Sequence, residues 1–265
     1  MSVFTESWLL LREPYDAQSR NTDVRGAVAD AVAHRASMSI ADLGCGIGAT
    51  LRALSSHLPM NQDWCLVDHN LSALSHAQSL ALAPRAKVRT MLLDLVNNLQ
   101  TALDGSIDLI TISAFLDLVS REWLDQLVRR TTMRQIPVYA ALTYDGRVML
   151  TPIHLLDATV IAAVNQHQLS DKGFGPALGP NAAAEAIDRF QASGYEVVHG
   201  KSDWAFGPTD RKIQLEIFSG WTDAARETGK VPISDLNEWL SARRAAVAEG
   251  CSQLRVGHVD FFARP

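Results

Sequence analysis

Three carboxylates close three successive apolar runs: Asp42 in Ile40-Ala41-Asp42-Leu43, Asp68 in Cys65-Leu66-Val67-Asp68, and Asp94 in Met91-Leu92-Leu93-Asp94. The first is followed at once by the glycine-rich Gly44-Cys45-Gly46-Ile47-Gly48. Glycine has no Cβ, so a loop of this kind lets a backbone close in on a nucleotide. Gly44, Gly46 and Ala49 also fit the loose dinucleotide pattern G-x-G-x-x-G/A. A carboxylate two residues before the first glycine is wrong for that ligand, because it repels a pyrophosphate in a poorly screened pocket. A cationic ligand reverses the sign.

Asp68 at a strand tip can accept both ribose hydroxyls of an adenosine, a feature that suits a nicotinamide dinucleotide and S-adenosylmethionine alike. Asp94, beside a free backbone N–H, suits the exocyclic amine and ring nitrogen of adenine. It also reads as the N-cap of a short following helix. S-adenosylmethionine carries a sulfonium and an ammonium and no phosphate, so it is the ligand that the three acids together favour.

These acids need strands to carry them and helices to cover those strands. Short β-rich runs alternate with helical patterns, with strands expected at Met38–Leu43, Trp64–Asp68, Lys87–Leu93, Ile107–Ser113 and Pro137–Tyr144. Helices are expected at Ala49–Leu58, Ser72–Leu82, near Val96–Leu103, and at Arg121–Arg134 with Ser120 as N-cap. Near-continuous apolar strands in such alternation imply a parallel sheet covered on both faces, with ligands at the carboxyl ends of the strands. Further on, helices are expected at Leu155–His167 and at Ala182–Ser193, which stops at Gly194. A strand follows at Tyr195–Trp204, helices around Thr209–Glu227 and Ser234–Glu249, and a final strand at Gln253–Ala263.

Asp42-Leu43-Gly44-Cys45-Gly46-Ile47-Gly48 resembles the first motif of the class I S-adenosylmethionine-dependent methyltransferases, Asp68 the second and Asp94-Leu95 the third. The resemblance covers Met38 to about Tyr144 well and the C-terminal strands more loosely. It implies a Rossmann-like α/β fold with a seven-stranded, mostly parallel sheet of order 3-2-1-4-5-7-6, the last strand antiparallel. It also implies that Gly44 and Gly46 pass under the methionyl part, Asp68 holds the ribose, Asp94 and Leu95 face the adenine, and Ser113 lies near the methyl donor. The run Val256-Gly257-His258-Val259-Asp260-Phe261-Phe262 looks like the reversed strand. Helical material before that strand departs from the short hairpin common in the family.

The chain has 265 residues, 47% hydrophobic and 20% charged, enough for one large α/β domain. The expected organisation is a single domain over 1–265: an N-terminal lid segment (1–35), a cofactor-binding core (36–145) and a C-terminal half with substrate-side insertions (146–265). No apolar run approaches the roughly 18–20 residues of a spanning helix. The N-terminal stretch has no basic n-region and does not read as a signal peptide. Cys45, Cys65 and Cys251 form no CxxC and read as reduced thiols of a cytoplasmic protein. A net charge of −5 argues against a phosphate-gripping nucleic-acid binder, with Arg129-Arg130 and Arg243-Arg244 as the compact cationic pairs. A small-molecule partner is expected, and no metal.

The acceptor is less legible, since methyl transfer from a sulfonium needs positioning more than acid–base chemistry. The fourth strand ends Ser113-Ala114-Phe115-Leu116, without the Asn/Asp-Pro-Pro-aromatic run associated with base-amine methylation. No Pro-Cys pair offers a nucleophile. Tyr144 closes the fifth expected strand, and the polar segment Asn165–Gly175 places His167 and Asp171 near Phe174 as candidates to orient or deprotonate an acceptor. Arg12 or Arg20 is a candidate partner of the methionyl carboxylate, and Tyr15 a candidate cover for the sulfonium. His69, beside Asp68, is a candidate adenosine contact. A nicotinamide-dependent oxidoreductase and a non-catalytic, methyltransferase-like binding protein remain the alternatives, the first disfavoured by Asp42 and Asp94.

Overall fold

In the computed structural model, which describes residues 5–80 and 86–265, eight strands form one sheet of order β3-β2-β1-β4-β5-β8-β6, with β7 pairing β8 beside that path. The strands are β1 (Ser37–Leu43), β2 (Asn61–Asp68), β3 (Ala86–Leu92), β4 (Leu109–Ser113), β5 (Val138–Thr151), β6 (Glu196–Lys201), β7 (Trp204–Phe206) and β8 (Gln253–Arg264). β1 to β5 run parallel, and β8 is antiparallel to β5, β6 and β7. The expected path through the sheet holds, with one strand more than expected. The sixth run breaks at Ser202-Asp203, where Ser202 N–H donates to the His258 carbonyl and Asp203 pairs with Arg147 and Arg255, so β6 and β7 are separate strands.

Ten α-helices are described: α1 (Glu6–Ser19), α2 (Thr22–Val32), α3 (Ala49–Leu54), α4 (Leu71–Leu80), α5 (Leu95–Ala102), α6 (Arg121–Met133), α7 (Asp157–Gln168), α8 (Ala182–Ala192), α9 (Arg211–Glu227) and α10 (Ile233–Ala248). Of the helix expected to reach Leu82, Ala81 and Leu82 lie outside the described residues, as do the first four residues of the N-terminal stretch. Ser120 caps α6 as expected, its hydroxyl accepting from Trp123 N–H. No described helix is long and apolar enough to cross a membrane.

Two clusters of buried side chains cover opposite faces of the sheet. One joins Leu43, Val67 and Ile112 to Leu99, Leu124, Leu127 and Phe190; the other joins Ile40, Leu66 and Tyr139 to Val24, Val28, Leu51 and Leu54. A third holds α7, α9 and α10 to the far ends of β5 and β8 through Val160, Phe218, Trp239 and Val256. That cluster explains why β5 does not stop at Tyr144. Its extension, Val148 to Thr151, pairs with Val256 to Gln253 of β8 and carries the helical insertion.

At the bend in β5, Leu142 adopts φ +54 and gives its N–H to Asp260 Oδ1 at 2.7 Å. The other oxygen, Asp260 Oδ2, accepts from Asn21 N–H at 2.9 Å, which fixes the joint between α1 and α2 against β8. Every strand tip from β1 to β4 therefore points its loop toward the same edge of the sheet, under α1.

Candidate active site

A cavity opens at those tips. Gly44, Cys45, Gly46, Asp68, His69, Asp94, Leu95 and Ser113 line it from the sheet side, Leu9, Arg12 and Asp16 from α1, and Phe115, Leu118, Lys172 and Phe174 from the far end. The glycine loop follows from the local geometry. Gly44 and Gly46 have φ +66 and +51, and a Cβ on Gly44 would sit 2.7 Å from the Phe115 ring. Gly44 and Cys45 N–H both donate to the Val67 carbonyl, which locks the loop onto β2.

Asp68 organises the next wall. Its Oδ2 accepts from Gly46 N–H at 2.8 Å and its Oδ1 from Asn70 N–H at 2.9 Å, which leaves a lone pair on each oxygen for a vicinal diol. His69 Nδ1 stands 3.5 Å from the same carboxylate. Asp94 performs both roles read from its position: it caps α5 through Val96 N–H at 2.9 Å and lines the cavity.

Asp42 and Arg20 lie behind the lining rather than in it. Asp42 is fully buried; its Oδ1 accepts from the Thr111 hydroxyl at 2.7 Å, and its Oδ2 has no hydrogen-bond partner. Burial pushes this carboxyl up to about 7, against the pull of the Thr111 hydrogen bond and the Arg20 charge, while the Asp68 charge adds to the rise. Arg20, 3% exposed, donates to Ser113 Oγ at 3.1 Å, Thr50 Oγ1 at 3.4 Å and Tyr139 Oη at 3.5 Å, and its Nε has no partner. A cation held by neutral hydroxyls, two of which line the cavity, has capacity left for an anionic ligand group.

A ligand with one carboxylate, two cationic centres and a ribose diol fits this distribution. Arg20 reaches the cavity floor through Ser113 and Thr50, the unpaired Asp42 oxygen lies beneath the glycine loop, and Asp68 has free lone pairs. Cys45 is no nucleophile, because burial and the Asp42 and Asp68 charges hold its thiol well above the usual range.

The other three candidates lie outside the lining. Tyr144 is buried and gives its hydroxyl to Asn165 Oδ1 at 2.7 Å; burial and the charges of Asp145 and Asp117 push the phenol well up. Asp171 folds its own loop, its Oδ1 accepting from Gly173 and Gly175 N–H at 2.6 and 3.0 Å. His167, in the last turn of α7, contacts Glu227 through Nε2 at 2.9 Å and Lys172 through Nδ1 at 3.2 Å. The segment reaches the cavity through Lys172 and Phe174. Phe174 completes an edge-to-face triad with Phe115 and Trp123, with centroids 5.4 to 5.8 Å apart, and the Trp123 indole N–H donates to Leu95 O at 2.8 Å.

Helix α1 forms the roof. Arg52 bridges it to the glycine loop, donating from Nε and Nη2 to Glu13 at 2.5 and 2.8 Å and from Nη1 to Ile47 O at 2.8 Å. Glu6 pairs with His76 of α4 at 2.8 Å. Toward the C-terminal half, Asp16 accepts from the Trp204 indole at 2.9 Å and Tyr15 donates to Asp210 at 2.9 Å. Sequence reasoning named Tyr15 and Arg12 here but not Asp16. It also missed Lys172, whose signal was only its place between Asp171 and the glycine-flanked Phe174.

Residues 40–135 match the model of the methyltransferase domain family, a segment running from within β1 to just past α6. Among solved structures, the chain is similar to a cyclopropane synthase from Mycobacterium tuberculosis, with 11% identity over 99% of this chain and 95% of that one, TM-score 0.52. It is also similar to a cyclopropane-fatty-acyl-phospholipid synthase-like protein from Lactobacillus casei (14% identity, 95% and 98% covered, TM-score 0.52). The YcgJ protein of Bacillus subtilis matches at 13% identity over 92% and 98%, TM-score 0.51. At these identities the structures show the shared fold. No curated protein sequence matches the chain.

The matched domain and the strand order define the class: an enzyme of the Rossmann-like methyltransferases. The chain belongs to the class I S-adenosylmethionine-dependent methyltransferases, and S-adenosylmethionine is its cofactor.

Proposed function

We propose that the protein transfers a methyl group from S-adenosylmethionine to a small-molecule acceptor at oxygen, nitrogen or sulfur, and that the acceptor enters at the end of the cavity framed by Phe115, Leu118, Lys172 and Phe174. The observation that carries this reading is the polarity of the cavity along its length. Acids with free lone pairs and a buried arginine stand at one end, and an aromatic triad with a single amine at the other.

In this reading Asp68, helped by His69, holds the ribose. Asp94 and Leu95 face the adenine, Gly44 and Gly46 admit the methionyl chain, Arg20 meets its carboxylate through the floor at Ser113, and Asp42 balances the positive charge from beneath. When bound, the cofactor supplies a methyl group on a sulfonium, ready for in-line displacement. The protein contributes alignment and exclusion of water, with α1 above and Phe174 at the end. His167 serves as a positioning residue here, holding Lys172 in place, and Asp171 sets the loop that carries Phe174. Tyr144 steadies α7 through Asn165.

Calorimetry with S-adenosylmethionine, S-adenosylhomocysteine and NAD tests the reading. Micromolar binding of the two adenosyl ligands, and none of NAD, is the expected result; NAD binding alone overturns it.

A further inference from the structure

One carboxyl beside the acceptor end has no assigned work. Asp117 lies in a short 3-10 turn, Leu116–Leu118, directly after the tip of β4, and is 8% exposed. It stands between Phe115 and Leu118, which both line the cavity. No ion pair within 4.0 Å and no side-chain hydrogen bond holds its carboxyl among the described residues. Burying such a group without a partner is costly, and few folds keep one without use.

We propose that Asp117 receives the proton of the methyl acceptor, and that the acceptor is a neutral small molecule presenting a hydroxyl. The proposal rests on the methyltransfer reading above. In the step, the acceptor oxygen attacks the methyl carbon and the carbon–sulfur bond breaks with its electron pair going to sulfur. The sulfonium becomes a neutral thioether, and the hydroxyl proton passes to the Asp117 carboxylate, which becomes a carboxylic acid. An amine acceptor needs no such base, because its nitrogen keeps the proton as an ammonium; an alkylated hydroxyl must lose one. Charge in this part of the site also favours a neutral acceptor. Arg12 is already paired with Asp16 at 2.8 Å, and the charges of Lys172 and Asp117 offset each other.

Lys172 is a poorer choice of base. Its Nζ already meets His167 Nδ1, His167 O and Ser170 Oγ at 3.2, 3.0 and 3.0 Å, which uses all three hydrogens of an ammonium. The charged and titratable groups near Asp117 are Arg12 on α1, Lys172 on the loop and Tyr144 on β5. Burial pushes the Asp117 carboxyl up to about 6, while its own backbone N–H, Arg12 and Lys172 pull the other way, so it is ionised at neutral pH and able to take a proton.

Sinefungin tests the proposal without the acceptor. In this analogue an amine-bearing carbon replaces the methylsulfonium, so its ammonium probes the space beyond the sulfur. Affinities of sinefungin and S-adenosylhomocysteine are compared by calorimetry in wild type, D117N and D42N. The expected result is a wild-type preference for sinefungin at about pH 7.5 that falls about tenfold in D117N, with S-adenosylhomocysteine binding unchanged. In wild type the preference also fades as pH drops through the Asp117 range. A preference intact in D117N and lost only in D42N assigns the effect to the carboxyl beneath the glycine loop and overturns the proposal. If D117N fails to bind S-adenosylhomocysteine, D117S repeats the comparison, and an intact preference there overturns it equally. Failure of wild type to bind either ligand strikes the methyltransfer reading instead.

Discussion

Asp42 and Thr111 face each other across the β1–β4 ladder, and the Thr111 hydroxyl donates to the Asp42 carboxylate at 2.7 Å. This pair places a half-satisfied carboxyl in the centre of the sheet, directly below the glycine loop. Its folded-state value, about 7 against 3.8 for the free side chain, sets a sign. The folded state binds the extra proton between these two values, so the contribution to stability is full below the lower one and is lost as pH rises through the upper one. The melting temperature of the ligand-free protein is therefore expected to fall across this window by more than that of D42N, which keeps the Thr111 bond without the charge. Equal slopes in the two proteins would refute the role of Asp42.

The same carboxyl makes a second prediction, for ligands. A sulfonium favours the ionised form and a thioether does not, so affinity for S-adenosylmethionine is expected to rise with pH through about 7 more steeply than affinity for S-adenosylhomocysteine. Parallel titrations at several pH values check this, and identical pH profiles would contradict it.

Asp68→Ala removes the acceptor of two backbone N–H groups and the proposed partner of the ribose. Cofactor affinity is expected to fall at least tenfold, about 1.4 kcal/mol. An unchanged dissociation constant in calorimetry would place the ribose elsewhere.

Arg20→Met separates the two ends of the ligand. It is expected to weaken S-adenosylhomocysteine, which has an amino-acid carboxylate, by at least about tenfold. Binding of 5′-methylthioadenosine, which lacks that group, should change little. Equal losses for both ligands would mean that Arg20 acts only by supporting the fold.

His167→Ala and Asp171→Ala should lower turnover more than cofactor affinity, because both act on the loop that brings Lys172 and Phe174 to the cavity. Wild-type turnover in both variants would remove this loop from the function.

The cofactor end of the cavity was open to sequence reasoning because its elements are local. A strand, a glycine turn and a helix specify one another within a dozen residues, and an acid at a strand tip has little choice of direction. The acceptor end depends on pairing between distant segments. Tyr144 reads as the end of a strand, yet β8 draws that strand on to Thr151 and turns the tyrosine toward Asn165. His167 and Asp171 are polar residues in a polar stretch, and which of their neighbours reaches the cavity is decided by the folding of the 171–180 loop against Val119 and Ser120. Asp117 left one signal, a lone carboxylate in the apolar run Phe115-Leu116-Asp117-Leu118, and its burial could not be read from the run itself. The splitting of the sixth strand was equally hidden, since it follows from Asp203 meeting arginines on β5 and β8.

Helix α1 is fastened on one side to the glycine loop by Arg52 and on the other to the C-terminal half through Trp204 and Asp210. A roof clamped along both eaves cannot lift from one side alone. Any ligand too large to slip beneath it must therefore release two sets of bonds carried by parts of the chain about two hundred residues apart in sequence. The insertion made by α9 thus has a stake in how long the cofactor stays, even though none of its residues lines the cavity.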